Sequence, residues 1–79
     1  MDQAEAFEKF QECAVEVLKV KKEQVTPSAK FSEDLDADSL DLVELVMSLE
    51  EAFDITVDES ELEGIDTVEA AFKLVTSKL

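Results

Sequence analysis

Apolar residues recur three and four positions apart along most of this chain, and that spacing restricts it to helices. Phe7, Phe10, Ala14, Val17 and Leu18 share one face at helical phase, which predicts a first helix over about residues 3–19. One glycine and one proline interrupt 79 residues, and the only β-like run is "ITV" at 55–57. The period fails in "VKKEQVTPSAKF", residues 20–31, where Pro27 disfavours helix at Thr26. That stretch reads as a long loop, with Val25 and Phe31 as apolar anchors dipping into the core. A second helix is expected from near Asp38 to Phe53, with Asp38 as its N-cap and Asp41 three residues on, at the positive helix end. "VDESEL", 57–62, reads as one short helical turn ended by Gly64. Asp66 and Glu69 resemble a capping box for a last helix over about 67–77. The expected fold is all-α: a small four-helix bundle of three longer helices and one short one. A long loop separates the first two longer helices, and a single domain covers residues 1–79.

The second helix carries two apolar faces. At about 100° per residue, Leu42, Leu45, Val46, Leu49 and Phe53 form one stripe, the expected core side. Leu40 and Met47, with Val43 at the margin, fall roughly opposite. Asp41, Glu44 and Glu51 border that second strip on one flank, and Glu50 and Asp54 on the other. Burying the strip within the chain would bury the acids too. An exposed apolar strip with a charged rim is what a partner-binding surface presents.

Charge narrows the partners. Twenty-one acidic residues face seven lysines, a net charge of −14, and residues 31–72 hold fifteen acids without one lysine or arginine. Such a field repels nucleic acid and anionic lipid, and it attracts basic protein surfaces or cations. One cysteine cannot form an internal disulfide, and no apolar run is long enough to span a membrane. The N-terminus does not look like a signal peptide. These features lead us to expect a monomer in the cytoplasm, or inside an organelle after processing.

The segment "EDLDADSLDLVE", residues 33–44, holds six carboxylates and one hydroxyl, Ser39. As a calcium loop beginning at Asp34 it has Asp36 and Asp38 in place, but Ser39 stands at the glycine position and Leu45 at the closing glutamate. A weak divalent-cation module is what remains of that reading. An enzyme is disfavoured: the chain has no histidine, and Ser39 has no base partner apart from carboxylates. Cys13, one turn from Phe10 and Val17, reads as a small apolar residue and not as a reactive thiol. Ser39 in the first turn of a helix is open to modification, since free N–H groups and the helix dipole favour an attached phosphate there. That physics permits phosphoryl attachment without requiring it, so an unmodified acidic helical adaptor stays open on these grounds.

"DLDADSLDLVELVMSLEEAFDI" resembles the central segment of acyl carrier proteins of type II fatty acid synthesis, and the likeness continues through "VTPSAKFSEDL" and "GIDTVEAA". D-S-L followed in register by V-E-L-V-M-x-L-E-E-x-F is specific to that family. The resemblance implies a non-catalytic carrier whose Ser39 receives 4′-phosphopantetheine from coenzyme A and then holds a growing acyl chain as a thioester. It implies a partner face of Asp38, Leu40, Asp41, Val43, Glu44, Met47, Glu50 and Glu51. Basic patches on a phosphopantetheinyl transferase, an acyltransferase, a ketosynthase and other fatty acid synthesis enzymes would dock there. It also makes Phe31, Val46, Leu49, Ile65 and Ala71 candidate neighbours of a sheltered acyl chain, with ordinary core residues as the equal alternative. The chain departs from the common pattern at Asp36, where many members have glycine, and near Asp58, where many have proline. A polyketide-synthase acyl carrier stays open beside the fatty acid pathway.

Overall fold

The computed structural model describes residues 2–79. Three α-helices form as the apolar phase requires: α1 (Gln3–Leu18), α2 (Ser39–Phe53) and α3 (Val68–Ser77). Two 3-10 turns lie between them, Lys22–Gln24 in the long loop and Glu59–Leu62 before α3. The fourth, short helix is therefore a single 3-10 turn, and the turn at Lys22–Gln24 was not legible in the sequence. It closes because the Lys21 N–H donates to the Gln24 side chain at 2.8 Å and Gln24 N–H to the Lys21 carbonyl at 2.9 Å.

Helix ends follow local chemistry. Asp2 caps α1 by accepting from Glu5 N–H at 2.8 Å, and Lys19 leaves the helix at φ 59°. Asp38 and Asp41 cap α2 reciprocally: Asp38 Oδ1 accepts from Asp41 N–H at 2.9 Å, and Asp41 Oδ2 from Asp38 N–H at 3.2 Å. This satisfies two otherwise orphaned donors. Asp66 does not cap α3, contrary to expectation. Its carbonyl accepts Phe31 N–H at 2.9 Å beside the short antiparallel bridge between Lys30 and Thr67. Thr67, the bridge residue, is itself extended at φ −114° and ψ 159°, so the helix starts one residue later, at Val68. The cap passes to Thr67, whose hydroxyl accepts from Ala70 N–H at 3.2 Å. The loop supplies the remaining acceptors: Val68 N–H reaches the Ala29 carbonyl at 2.9 Å and Glu69 N–H the Pro27 carbonyl at 3.1 Å.

The core is wholly apolar among the described residues. Phe10 and Ala14 of α1 meet Leu45, Leu49 and Phe53 of α2, and Val68, Ala71 and Val75 of α3 close the third side. Phe72 meets Phe7 and Phe10 edge-on, with ring centroids 5.1 and 5.9 Å apart, fastening α3 to α1. Val25 and Phe31 are buried as loop anchors, joined by Ala29, Leu35 and Ala37. Cys13 is buried among them. Leu42, placed by phase on the core stripe, is only half-buried.

Asp36 has φ 52°, the left-handed region. Its neighbours force this. Leu35 and Ala37 are both buried, and their N–H groups are tied to the Lys30 and Phe31 carbonyls at 3.2 and 2.7 Å. The peptide must turn sharply between two anchored residues, a geometry that glycine adopts freely and aspartate tolerates.

Two stability predictions follow from this packing. In denaturant unfolding, Leu49→Ala is expected to cost about 2–5 kcal/mol as a cavity in a closed core, whereas Met47→Ala, at a side 59% exposed, leaves the midpoint near that of the parent protein. At Asp36, glycine is expected to match or exceed the parent stability, while Asp36→Val loses about 1–2 kcal/mol because a β-branched residue is forced to positive φ.

Candidate functional site

Ser39 is the first residue of α2, exposed, directly after the cap residue Asp38. The cap engages the N–H of Asp41, and no protein acceptor meets the N–H of Ser39 or Leu40 among the described residues. The positive end of the helix dipole and two free donors therefore surround the hydroxyl.

Two open clefts border Ser39. One, of about 470 Å³, lies between Leu42 and Val43 of α2 and the second 3-10 turn, which contributes Glu59, Ser60 and Leu62. The other, of about 320 Å³, runs under Leu42 and Leu62 to Phe31, Ala37 and Ile65. Of the five acyl-chain candidates, Phe31 and Ile65 line this space. Val46, Leu49 and Ala71 are buried and border neither cleft. The sequence reading missed the opposite wall, Glu59, Ser60, Leu62 and Glu63. Leu62 as the one apolar side chain of that turn was the only available signal, and nothing local says which helix it faces.

That wall is tied down by one carboxylate. Glu61 Oε2 accepts Asp58 N–H at 3.1 Å, and Glu61 Oε1 accepts from Lys78 Nζ at 2.7 Å. The hydrogen bond from Lys78, then that from Asp58, hold the Glu61 carboxyl below its ordinary range.

Along α2 the second apolar strip is open: Leu40 is 65% and Met47 59% exposed. Val43 is half-buried and turns toward the cleft. Asp38, Glu44 and Glu51 are exposed; Asp41 and Glu50 are half-buried. Glu44, Met47, Glu50 and Glu51 surround one shallow depression, to which Ser48 and Asp54 also contribute. Glu50 has a structural duty as well, since its Oε2 accepts Val57 N–H at 2.9 Å. The ion pairs among the described residues join Lys22 to Glu8, Lys30 to Glu33, Lys73 to Glu69 and Lys78 to Glu61, so none engages a carboxylate of α2. Asp34 and Asp38 spend their side chains on Lys30 N–H and Asp41 N–H. No described helix is long and apolar enough to cross a membrane.

Residues 8–75 match the family described as "Phosphopantetheine attachment site". The chain is 48% identical over 79 residues to the acyl carrier protein of Petrotoga mobilis, covering all of this chain and 93% of that one. It is 52% identical over 75 residues to the acyl carrier protein of Rubrobacter xylanophilus, covering 95% and 93%. The geometry suits the group this family carries: an exposed hydroxyl, free N–H donors beside it for a phosphate, and an apolar cleft within reach. A helical chain with this site and these relatives belongs to the acyl carrier protein family, non-enzymatic carriers with covalently attached 4′-phosphopantetheine.

Proposed function

We propose that Ser39 is the attachment point, and that the protein carries growing acyl chains for the enzymes of type II fatty acid synthesis. The observation that carries this reading is the exposed Ser39 hydroxyl at the first position of α2, between a capped helix start and an apolar cleft. The arm supplies a flexible tether ending in a thiol, which holds the acyl group as a thioester. The protein's own residues orient and present it. Asp38 and Asp41 hold the helix start in place, leaving the Ser39 hydroxyl outward. Leu42, Val43 and Leu62 offer apolar surface beside it.

Partners would dock on α2. Leu40, Val43 and Met47 form the apolar centre, and Asp38, Asp41, Glu44, Glu50 and Glu51 the acidic rim. The rim carboxylates on α2 are free of ion pairs with lysine among the described residues, so a basic enzyme surface meets charge that is not already neutralised. The transferase, an acyltransferase and a ketosynthase are the expected partners, each through a basic patch.

Attachment is tested by incubating apo-protein with coenzyme A and a broad phosphopantetheinyl transferase, then mapping the adduct by digestion and mass spectrometry. The expected outcome is one adduct on Ser39, and a folded Ser39→Ala that takes none. An adduct on Ser32, Ser48 or Cys13 would overturn the assignment.

Docking is tested by ketosynthase binding kinetics at two salt concentrations. Glu44→Lys is expected to slow association and flatten its salt dependence, because rim charges act mainly by steering. Met47→Ala is expected to speed dissociation, with a loss on the order of 1 kcal/mol or more if it is a hot spot. Unchanged binding by both variants would remove α2 as the docking face.

A further inference from the structure

The cleft beside Ser39 has one firm wall and one weakly held wall. Its α2 side rests on Leu45, Leu49 and Phe53 in the core. Its other side is the 3-10 turn Glu59–Leu62, which has no buried residue. The hydrogen bonds that shape this wall's backbone are local, Glu61 N–H to the Asp58 carbonyl at 3.0 Å and Glu63 N–H to the Ser60 carbonyl at 3.4 Å. Gly64 follows at φ 82°, where the chain swings toward α3. Leu62, half-buried, is the turn's one apolar side chain.

Among the described residues, one side chain of the turn, that of Glu61, is hydrogen-bonded to another element of the fold. Glu61 closes the turn through Asp58 N–H and also accepts from Lys78 Nζ at 2.7 Å. Lys78 is the C-cap residue of α3, and that helix is seated by Val68, Ala71 and Val75 in the core and by Phe72 against Phe7 and Phe10. The other ion pairs differ from this one. Lys30–Glu33 and Lys73–Glu69 are local, three and four residues apart, and Lys22–Glu8 spans 3.6 Å between exposed groups. The Lys78–Glu61 pair joins residues 17 apart in sequence and is the least exposed, at 29% and 31%.

We propose that Lys78 is a positioning residue for this cleft: by holding Glu61 it keeps the 3-10 turn against α2, and so sets how well the cleft shields an acyl thioester carried on Ser39. The inference rests on Ser39 being the attachment point. With Lys78 removed, the turn keeps its internal bonds but loses its tie to α3. The wall then parts from Leu42 and Val43 more often, and the thioester meets solvent more often. An ion pair of this exposure shifts such a local equilibrium by several-fold and not by orders of magnitude.

The test loads the apo-protein with an octanoyl-phosphopantetheine arm, using octanoyl coenzyme A and a broad transferase. Loss of the octanoyl group to neutral hydroxylamine is then followed by intact mass. Lys78→Met is expected to lose it about two- to five-fold faster than the parent protein. Lys78→Arg, which keeps a cation within reach of Glu61 and leaves the Glu61–Asp58 bond intact, is expected to restore the parent rate. Lys73→Met removes an ion pair of the same helix away from the cleft and is expected to behave as the parent. Amide exchange across residues 58–65 is expected to quicken in Lys78→Met while α1 is unaffected. Parent-like release from Lys78→Met would overturn the proposal, as would equal acceleration by Lys73→Met or failure of Lys78→Arg to restore protection. Peptide mapping of the loaded protein separates the two readings. An adduct away from Ser39 sinks the attachment assignment, whereas a Ser39 adduct with unaltered release sinks only the role of Lys78.

Discussion

The seam between the long loop and the start of α3 is the constraint on which the remaining geometry depends. Two N–H groups of α3's first turn find acceptors on the loop, at Ala29 and Pro27, and Phe31 N–H returns to Asp66. These bonds satisfy donors that a helix start otherwise leaves orphaned. They also pin the loop's buried residues, Ala29 and Phe31, over the core. Pro27 contributes here by its carbonyl, the one backbone hydrogen-bonding group proline retains.

Everything that places Ser39 follows from that seam. With Phe31 held, its carbonyl draws in Ala37 N–H, and Lys30 draws in Asp34 and Leu35. The chain then has one residue, Asp36, in which to reverse, and it does so at positive φ. The next residues enter the reciprocal cap of Asp38 and Asp41, and α2 begins with its serine facing outward. Acidic residues in this stretch thus serve two ends. Asp34, Asp38 and Asp41 bond backbone donors, while Glu44 and Glu51 stand free along the exposed flank.

The division of labour on α2 has the same economy. One helix supplies both core and surface because its apolar residues occupy two phases. Leu45, Leu49 and Phe53 are closed off from solvent, whereas Leu40 and Met47 are not. The core contains no buried polar group among the described residues, so stability does not call on the acids of α2 except Glu50, which accepts Val57 N–H, and the Asp38–Asp41 cap. Charge there is available to a partner.

Sequence by itself determined the three helices, the two faces of α2, the anchors Val25 and Phe31, and the position of Ser39 at a helix start. Each rests on spacing of three or four residues or on a cap three residues away, distances over which local physics acts. Tertiary structure decided what depends on residues far apart. It moved the α3 cap from Asp66 to Thr67, because Thr67, bridged to Lys30, is itself extended and the helix starts only at Val68. It drew Leu42 out of the closed core to line the cleft, and brought Phe31 and Ile65 to that cleft while sealing Leu49 and Ala71 away from it. It set Leu62 opposite Val43 and joined Lys78 to Glu61 across 17 residues. Helical phase tells which way a side chain points from its own axis. Which surface it then meets depends on how the helices and the loop seam close on one another.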